Sequence, residues 1–358
     1  MPIRVRALYT RYPHLGSYSG INQLVRHLDP AEYTVRLYGA SDSDADLPLP
    51  HRGLERWLRE RVQRRGMAWY KLSDLAAEIR ALPGCVLGRI DIVHFLDAEH
   101  SAQYLPAALR RCRLSRARTV ATYHQPPELL GGLINEDVVA TLDYVTVVSP
   151  EQLDYFRGFL PANRVEMILH GIDTAFFRPG TGSREGRIFR CITAGHWLRD
   201  WDAVRSVAAA LASCRAIEFH VVTDRPTGLD DLANVTVHRN VDDAELVSLY
   251  QRSDVLFLPL TQSTANNSLM EGIACGLPVV STKLRSVRAY VSEAEAILVE
   301  RNDPSQLADA IVHLWRNPAT RTAMGRCARA RAEELSWVNM AREYQRIYAG
   351  LAACTTRR

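Results

Sequence analysis

Lysine is scarce in this chain of 358 residues. Lys71 and Lys283 are its two lysines, so nearly all of the 44 basic residues are arginine. Because no glycine is followed by Lys-Ser or Lys-Thr, a Walker phosphate-binding loop is excluded. A Gly-x-Gly-x-x-Gly motif after a strand pattern is also lacking, which argues against a dinucleotide-dependent dehydrogenase. The longest apolar runs have six or seven residues, whereas a membrane-spanning helix needs about 20.

The cysteines form no recognisable framework. There are seven, an odd number, and no two of them are spaced as Cys-x-x-Cys. This pattern argues against a disulfide scaffold or structural zinc and favours a reducing compartment. The N-terminal stretch MPIRVRALYT lacks the apolar core and the cleavage site of a signal peptide. We therefore expect a cytoplasmic protein, and a net charge of +4 gives no reason to expect a nucleic-acid partner.

Short apolar runs alternate with helical patterns along the whole chain, which is typical of α/β proteins with parallel, doubly wound sheets. Strands are predicted at 3–9, 33–39, 91–96, 119–123 and 144–148, and then at 188–193, 217–222, 235–238, 255–259 and 278–282. Between the two series lies a segment rich in glycine and proline, 172–187. We expect two Rossmann-like domains that face each other across a cleft, with a boundary near residue 180.

The stretch Asp254–Lys283 carries the most chemistry. A buried strand leads into a polar loop, Thr261–Asn267, and then into a helix that begins near Asn267. The backbone amides and the dipole at such a helix start form an anion site that suits phosphate. Glu271, in the first turns of this helix, is placed to accept two hydroxyl groups of a ribose. The alternative is a glutamate that only complements the helix dipole.

The same stretch resembles the signature of the retaining family 4 glycosyltransferases, which have the GT-B fold. That signature is a strand, a Glu-x7-Glu loop and helix, and then Gly-x-Pro-Val-Val. The residues that match it are Glu271, Ala274, Cys275, Gly276, Pro278, Val279 and Val280. There are two departures. Ser263 occupies the position of the first glutamate, and Thr264, Ala265 and Asn266 replace the Gly-Phe-Gly that usually follows it.

The resemblance extends over nearly the whole chain. Residues 147–149, 165–168 and 170–179 are similar to the family's link between its two domains, although His170 replaces the usual asparagine. The C-terminal helices resemble those with which the family crosses back to its first domain. The resemblance therefore implies an acceptor-binding domain, 1–178, completed by the C-terminal helix 338–358. A nucleotide-sugar-binding domain, 179–337, would follow it.

The resemblance also implies a donor site. Arg199 matches the second of two basic residues that meet the donor diphosphate, and His196 stands in the place of the first. A surface arginine that pairs with Asp200 or Asp202 is the alternative. The glycine turn that ends at Gly20 resembles the family's loop near the acceptor and the donor phosphate. The donor-binding set that follows is Gly20, Gly195, His196, Arg199, Asn266, Asn267, Ser268 and Glu271.

A histidine follows one predicted strand at the edge where ligands of open α/β sheets bind. This residue, His124, is similar to the family's strand-end histidine beside the transferred sugar. The resemblance thus implies catalytic roles for His124, Arg199 and Glu271. Three residues near another strand end are further candidates for contact with the acceptor: His94, Asp97 and His100.

By resemblance, the chain is a retaining hexosyltransferase that moves a sugar from a nucleotide-sugar to a glycan, glycolipid or lipid-linked acceptor. The family's chemistry needs neither a metal nor a protein nucleophile, because the leaving phosphate deprotonates the acceptor. We therefore expect no cofactor and interpret the acidic stretch 41–46 as a surface loop rather than a metal site. Two alternatives remain. One is a nucleotide-sugar epimerase of the same fold, and the other, given Ser263, is a non-catalytic nucleotide-sugar-binding partner protein.

Residues 52–71 are strongly basic. They contain seven basic and two acidic residues, a net charge of +5, with tryptophan, tyrosine and leucine interleaved. Such a segment could lie on an anionic membrane, or it could be the solvated face of an arginine-rich helix. In the first case the protein would be peripheral at the inner face of the membrane and could reach a lipid-linked acceptor.

Overall fold

The computed structural model describes residues 2–12, 17–43, 52–63, 67–111, 115–182 and 188–356. Two parallel β-sheets form its framework, each with six strands in the described part of the chain, and helices flank both. This arrangement confirms the predicted α/β class with two doubly wound sheets.

The first sheet is built from the N-terminal half of the chain. Its strands are β1 (Ile3–Arg11), β2 (Tyr33–Ser41), β3 (Ile92–Phe95), β4 (Arg118–Tyr123), β5 (Tyr144–Val147) and β6 (Val165–Met167). They lie in the order β2-β1-β3-β4-β5-β6, and neighbouring strands are parallel. The order reverses between β1 and β3, as in a doubly wound sheet.

Short helices connect these strands. They are α1 (Arg52–Gln63), α2 (Leu72–Val86), α3 (Ala98–Ser101), α4 (Leu105–Arg111), α5 (Pro127–Leu133), α6 (Glu136–Val139) and α7 (Pro150–Arg157), with 3-10 helices at Ile21–Arg26 and Ala162–Arg164. Helix α7 shows how the sequence sets a helix start. Ser149 Oγ accepts a hydrogen bond from the Gln152 amide, and Pro150 occupies the first turn, where its missing N–H costs nothing.

The C-terminal helix α14 (Trp337–Thr356) covers one face of the first sheet. Trp337, Tyr344 and Tyr348 of this helix are each 1% exposed and belong to the same apolar cluster as Val5 and Ile92. Successive side chains of a strand point to opposite sides of a sheet. The apolar side chains on the opposite face of this sheet therefore form a second cluster. Cover on both faces explains why nearly every residue of the central strands β3, β4 and β5 is buried.

The second sheet is built from β7 (Phe189–Ala194), β8 (Ile217–Val222), β9 (Val235–His238), β10 (Val255–Leu258), β11 (Val279–Thr282) and β12 (Ala296–Val299). Its order is β12-β11-β10-β7-β8-β9. The helices around it are α8 (Trp201–Ala210), α9 (Asp243–Arg252), α10 (Asn267–Ala274), α11 (Arg285–Tyr290), α12 (Pro304–Arg316) and α13 (Pro318–Glu334), with a 3-10 helix at Glu300–Asn302. Gly272 lets α10 pack closely on β10, since a Cβ there would lie 2.8 Å from a methyl carbon of Leu256.

The chain forms two compact units. The first comprises Met1–Leu15, Gly20–His170 and Trp337–Arg358, and the second comprises Gly16–Ser19 and Gly171–Ser336. Residues 17–19 therefore belong with the second unit through their contacts, although they follow β1 in the chain. Among the helices of the described ranges, none combines the length and the apolar character that a membrane crossing requires.

Candidate active site

A reversal of strand order in the second sheet brings two loops together. The chain passes from β7 to β8 and β9, and then returns to the other side of β7 with β10. In open parallel sheets, ligands bind beyond the carboxyl ends of the strands at such a reversal. The loops that follow β7 and β10 are joined there by a backbone bridge between Arg199 and Leu260.

The Arg199 side chain is fixed at this edge. Its Nη2 and Nε donate to the carbonyl of Ala194 at 2.7 and 3.1 Å. Nη2 also lies 3.1 Å from Ser268 Oγ and 3.4 Å from Asn266 Oδ1. Gly195 gives the guanidinium its space, since φ is +76° there and a Cβ would lie 3.0 Å from Nη2. Burial lowers the pKa of Arg199 to about 10, so the group remains a cation at neutral pH.

The turn that carries Arg199 is strained and firmly held. Leu198 has a φ of +58°, which is uncommon for a residue with a side chain. Its carbonyl accepts hydrogen bonds from the amide and the hydroxyl of Thr261 at 3.0 and 3.3 Å. His196, which was predicted to meet phosphate, lies partly buried at the start of the turn. Strained backbone of this kind persists where the surroundings over-determine it, and it clusters at ligand sites.

Asn302 ties the strand ends of this edge together. Its Nδ2 donates to the Leu260 carbonyl at 2.9 Å and to Asp200 Oδ2 at 2.8 Å, and its Oδ1 accepts from the Thr282 hydroxyl. The φ of Asn302 is +52°, a conformation that asparagine tolerates better than most residues. The loops after β7, β10 and β11 are thereby joined. The sequence analysis did not identify this residue.

Helix α10 begins at the same edge. Asn266 is its N-cap, with Oδ1 accepting from the Leu269 amide at 3.2 Å, and Ser268 Oγ donates to the Ala194 carbonyl at 2.9 Å. The first amides of a helix, here those of Asn267 and Ser268, have no acceptor within the helix. With the helix dipole they favour an anion. The structure thus brings Gly195, Arg199, Asn266, Asn267 and Ser268 together.

Glu271 lies one turn further along α10 and is 5% exposed. Its Oε1 accepts from Ser19 Oγ at 2.6 Å, and its Oε2 accepts from the Tyr250 hydroxyl at 2.9 Å. Burial raises the pKa of this carboxyl, while the hydrogen bonds from Ser19 and Tyr250 and the charge of Arg199 oppose that rise. The carboxylate therefore binds hydroxyl groups. Contact with ribose hydroxyls stays a prediction for Glu271, and no motif of the sequence indicated either protein donor.

Ser263 occupies the position of the family's first glutamate. It is 8% exposed, and its hydroxyl donates to the Thr264 carbonyl at 3.3 Å. Residues 261–266 contain no carboxylate. This loop therefore offers hydroxyl and amide groups where the family signature offers a negative charge.

His124 lies in the first unit, directly after β4. Its Nε2 donates to the Leu96 carbonyl at 2.8 Å, which fixes the orientation of the ring. The buried Glu99 accepts from the backbone amides of His124 and Gln125, the latter at 2.7 Å. Gly20 is also in the first unit. It precedes the 3-10 helix with a φ of +93°, a value that glycine adopts readily.

The prediction that His94 contacts an acceptor is wrong. The residue is fully buried, with Nδ1 2.6 Å from the Tyr348 hydroxyl and Nε2 2.7 Å from Thr122 Oγ1. Burial lowers the pKa of His94 to about 3. Its role is to join β3 and β4 to the C-terminal helix.

The two other candidates at this sheet edge belong to a polar cluster. His100 stacks on Trp69, with ring centroids 5.0 Å apart, and its Nδ1 lies 3.4 Å from Lys71 Nζ. Asp97 accepts from the Thr10 amide at 3.0 Å. Asp97 thus bonds to the end of β1, and His100 contacts the residues just before α2.

Two family models match the chain. The model of Glycosyltransferase Family 4 matches residues 16–176, and that of Glycosyl transferases group 1 matches residues 189–317. A D-inositol 3-phosphate glycosyltransferase of Corynebacterium diphtheriae is 33% identical over 253 residues, which are 62% of this chain and 59% of that protein. Its counterpart from Corynebacterium urealyticum is 33% identical over 136 residues, 36% of this chain and 32% of that protein. The chain thus spans about a third to three fifths of the length of these relatives.

Solved structures show the same fold. Sucrose-phosphate synthase from Thermosynechococcus elongatus superimposes with a TM-score of 0.73 at 17% identity, covering 98% of this chain and all of the other. HepE from Anabaena, in complex with UDP-glucose, gives a TM-score of 0.68 at 12% identity, covering 96% and 99%. The chain thus carries a Glycosyltransferase Family 4 domain and a Glycosyl transferases group 1 domain, and its two-sheet architecture is the GT-B fold of glycosyltransferases.

Proposed function

We propose that the chain transfers a hexosyl group from a nucleotide-sugar to an acceptor hydroxyl with retention of anomeric configuration. One observation carries the proposal: a fixed arginine, a capped helix start and a hydroxyl-binding glutamate lie together at the switch point of the second sheet. These are the groups that a diphosphate and a ribose need.

The phosphate part of the site consists of Arg199 and the start of α10. The guanidinium is held by the Ala194 carbonyl and Ser268, so its orientation is set before a ligand arrives. Its Nη1, which donates to the Trp197 carbonyl at 2.8 Å, has a second N–H, and the positive charge attracts phosphate oxygens. The amides of Asn267 and Ser268 would add donors without any further change in the protein.

The reaction proposed here depends on stabilising the departing diphosphate. As negative charge develops on the leaving oxygen, Arg199 and the helix start would meet it with fixed positive charge and dipole. The leaving phosphate would then take the proton of the acceptor hydroxyl on the same face of the sugar, which gives retention. No metal ion and no protein nucleophile enter this scheme. His124 would contact the transferring sugar.

Single substitutions in the second unit test the donor site. Glu271→Ala and Arg199→Ala should each weaken nucleotide binding by roughly ten- to a hundredfold, because each removes a charge-assisted hydrogen bond of about 1.5–3 kcal/mol. Calorimetry with UDP, GDP and ADP on the wild type would first show which base binds. Arg199→Lys keeps the charge and guards against loss of folding as the cause.

Two exposed residues of the same unit supply matched controls. Arg205 pairs with Asp231, and Glu300 pairs with Lys283. Their alanine variants should bind the nucleotide as the wild type does. Unchanged affinity in both Glu271→Ala and Arg199→Ala would show that the donor site lies elsewhere.

A second candidate function follows from the loop that contains Ser263. Because this loop holds no carboxylate, a protein that binds a nucleotide-sugar without transferring the sugar is also consistent with the site. Radiolabelled nucleotide-sugar separates the two. Release of nucleotide only when an acceptor is present supports transfer, whereas tight binding with neither transfer nor hydrolysis supports the partner protein.

We also propose that the acceptor is presented at an anionic membrane. Helix α1 exposes Leu54 and Trp57, which are 42% and 50% accessible, and the Arg61 guanidinium lies 4.7 Å from the Trp57 ring centroid. The helix packs on the protein through Val62 and Leu58. An aromatic side chain beside arginine on an outward face suits the headgroup region. Arg64 and Arg65 of this basic segment lie outside the described residues.

A further inference from the structure

Three consecutive residues, 17–19, form a strap on the second unit. The Ser17 amide donates to Asp243 Oδ2 at 2.8 Å. Tyr18 stacks on Phe176, with ring centroids 3.6 Å apart and planes 4° from parallel. Ser19 Oγ donates to Glu271 Oε1 at 2.6 Å. Each residue of the strap therefore contacts another part of the second unit, and Ser19 engages the carboxylate proposed to hold ribose.

The hydrogen bond from Ser19 stabilises the buried carboxylate of Glu271. A buried carboxylate is costly unless hydrogen-bond donors replace the water that it has lost. In the structure two hydroxyl groups do this, one on each oxygen. A ribose presents its 2′- and 3′-hydroxyls as a pair of donors of the same chemical kind. A ribose and the strap thus offer the same chemical group to one oxygen of Glu271.

The two donors differ in how firmly they are held. Tyr250 is fully buried on α9, and its ring packs against Phe177. Ser19 belongs to a strap nearer the surface, in which Ser17 is exposed and Tyr18 is partly buried. If a ligand hydroxyl replaced that of Ser19 on Glu271, a few local contacts would break. If it replaced that of Tyr250, the core would be disturbed. Ser19 is therefore the donor that a ligand can replace.

We propose that the Ser19 hydroxyl stands in for a ribose hydroxyl on Glu271, and that nucleotide binding displaces the strap. The proposal rests on the nucleotide site proposed above and adds a competing residue to it. Glu271 keeps two donors in both states, so the buried carboxylate is satisfied throughout. The cost to the ligand is the loss of the strap's own contacts, and it lowers the apparent affinity of the free protein.

The test compares Ser19→Ala with the wild type. Calorimetry uses whichever of UDP, GDP or ADP the wild type binds, together with its 2′,3′-dideoxy analogue. Removal of the competing hydroxyl should raise the affinity for the ribonucleotide by about three- to tenfold. The affinity for the dideoxy analogue should stay within about twofold, because that ligand has no hydroxyl to offer Glu271. Ser206→Ala, which removes a hydroxyl bonded within α8, should change neither affinity.

Hydrogen exchange gives a second readout. The Ser17 amide, protected by Asp243, should exchange faster once the ribonucleotide is bound. If Ser19→Ala leaves ribonucleotide affinity unchanged or lowers it while Glu271→Ala still loses binding, the inference is overturned and the donor site stands. An equal gain for the dideoxy analogue would also overturn it. A wild type that binds no nucleotide would overturn both.

Discussion

Single residues decide where the Arg199 guanidinium lies at the edge of the second sheet. Gly195 combines a positive φ with a close approach to Arg199, so that only a residue without Cβ fits there without strain. Leu198 adopts a similar conformation at a cost, which the hydrogen bonds from Thr261 offset. The loop after β7 thus positions the Arg199 guanidinium, although its backbone conformation is strained.

At this scale His124 gives a separate prediction. His124→Ala should lower turnover by about 10²-fold, as expected for loss of a fixed polar group beside the reacting centre, while nucleotide affinity is unchanged. Single-turnover assays together with calorimetry separate these two effects. His313→Ala, which alters an exposed histidine of α12, should do neither. If His124→Ala turns over as fast as the wild type, the role of His124 is structural only.

Site residues that lie close together in the sequence could be predicted, whereas contacts between residues far apart in the sequence could not. Glu271, Ser268 and Asn266 stand within six positions of one another, so a local motif reveals them. Ser19 and Glu271 are 252 positions apart, and the contact exists only because the chain folds that way. Tyr250 stands 21 positions before Glu271, and no local motif connects its hydroxyl with that carboxylate.

At the scale of elements, the alternation of apolar runs and helices located ten of the twelve described strands to within about two residues. The pattern did not reveal β12, which is four residues long and only half buried, and β6 has just three residues. The stretch after Gly20 forms a 3-10 helix of six residues. Short elements depend on the packing around them more than on their own sequence.

Helix α1 carries the prediction of membrane contact. Binding to vesicles that contain phosphatidylglycerol should exceed binding to neutral phosphatidylcholine vesicles and fall with added salt, because the attraction is electrostatic. Arg56→Glu with Arg61→Glu should weaken it at least about tenfold, given about 1 kcal/mol for each basic residue near the surface. Co-sedimentation measures this.

The matched control reverses two exposed arginines of the second unit, Arg316→Glu with Arg326→Glu, and so changes the net charge by the same amount. This control should bind as the wild type does. Trp57→Ser should also weaken binding, since the indole would sit among the headgroups. Equal recovery with anionic and neutral vesicles would refute membrane contact and favour the solvated helix face.

At the scale of the whole molecule, the two ends of the chain fold together. Helix α14 belongs to the same unit as β1, and the His94–Tyr348 hydrogen bond joins residues 254 positions apart. The first unit is therefore complete only when the C-terminal helix has been made. The apolar character of the first strands indicated a buried sheet, whereas only the family resemblance implied that the C-terminal helix 338–358 would complete this domain.

The last prediction concerns acid. The pKa of His94 is lowered to about 3 by burial, whereas in an unfolded chain a histidine has a pKa near 6.5. Between these values the unfolded chain binds a proton that folded His94 does not, so this residue makes stability fall as pH drops below 6.5. Other buried groups act in the opposite sense, notably Glu78, whose carboxyl pKa burial raises to about 7. The effect must therefore be measured as a difference in the free energy of unfolding between variants.

His94→Gln should be less stable than the wild type at pH 7.5, since it loses the hydrogen bonds to Tyr348 and Thr122. The difference in the free energy of unfolding between the two proteins should then narrow by up to about 1.4 kcal/mol per pH unit below 6.5. Urea unfolding of both proteins between pH 7.5 and 4.5 measures it, with His313→Gln as the control substitution, and a gap that stays constant over this range would contradict the assignment.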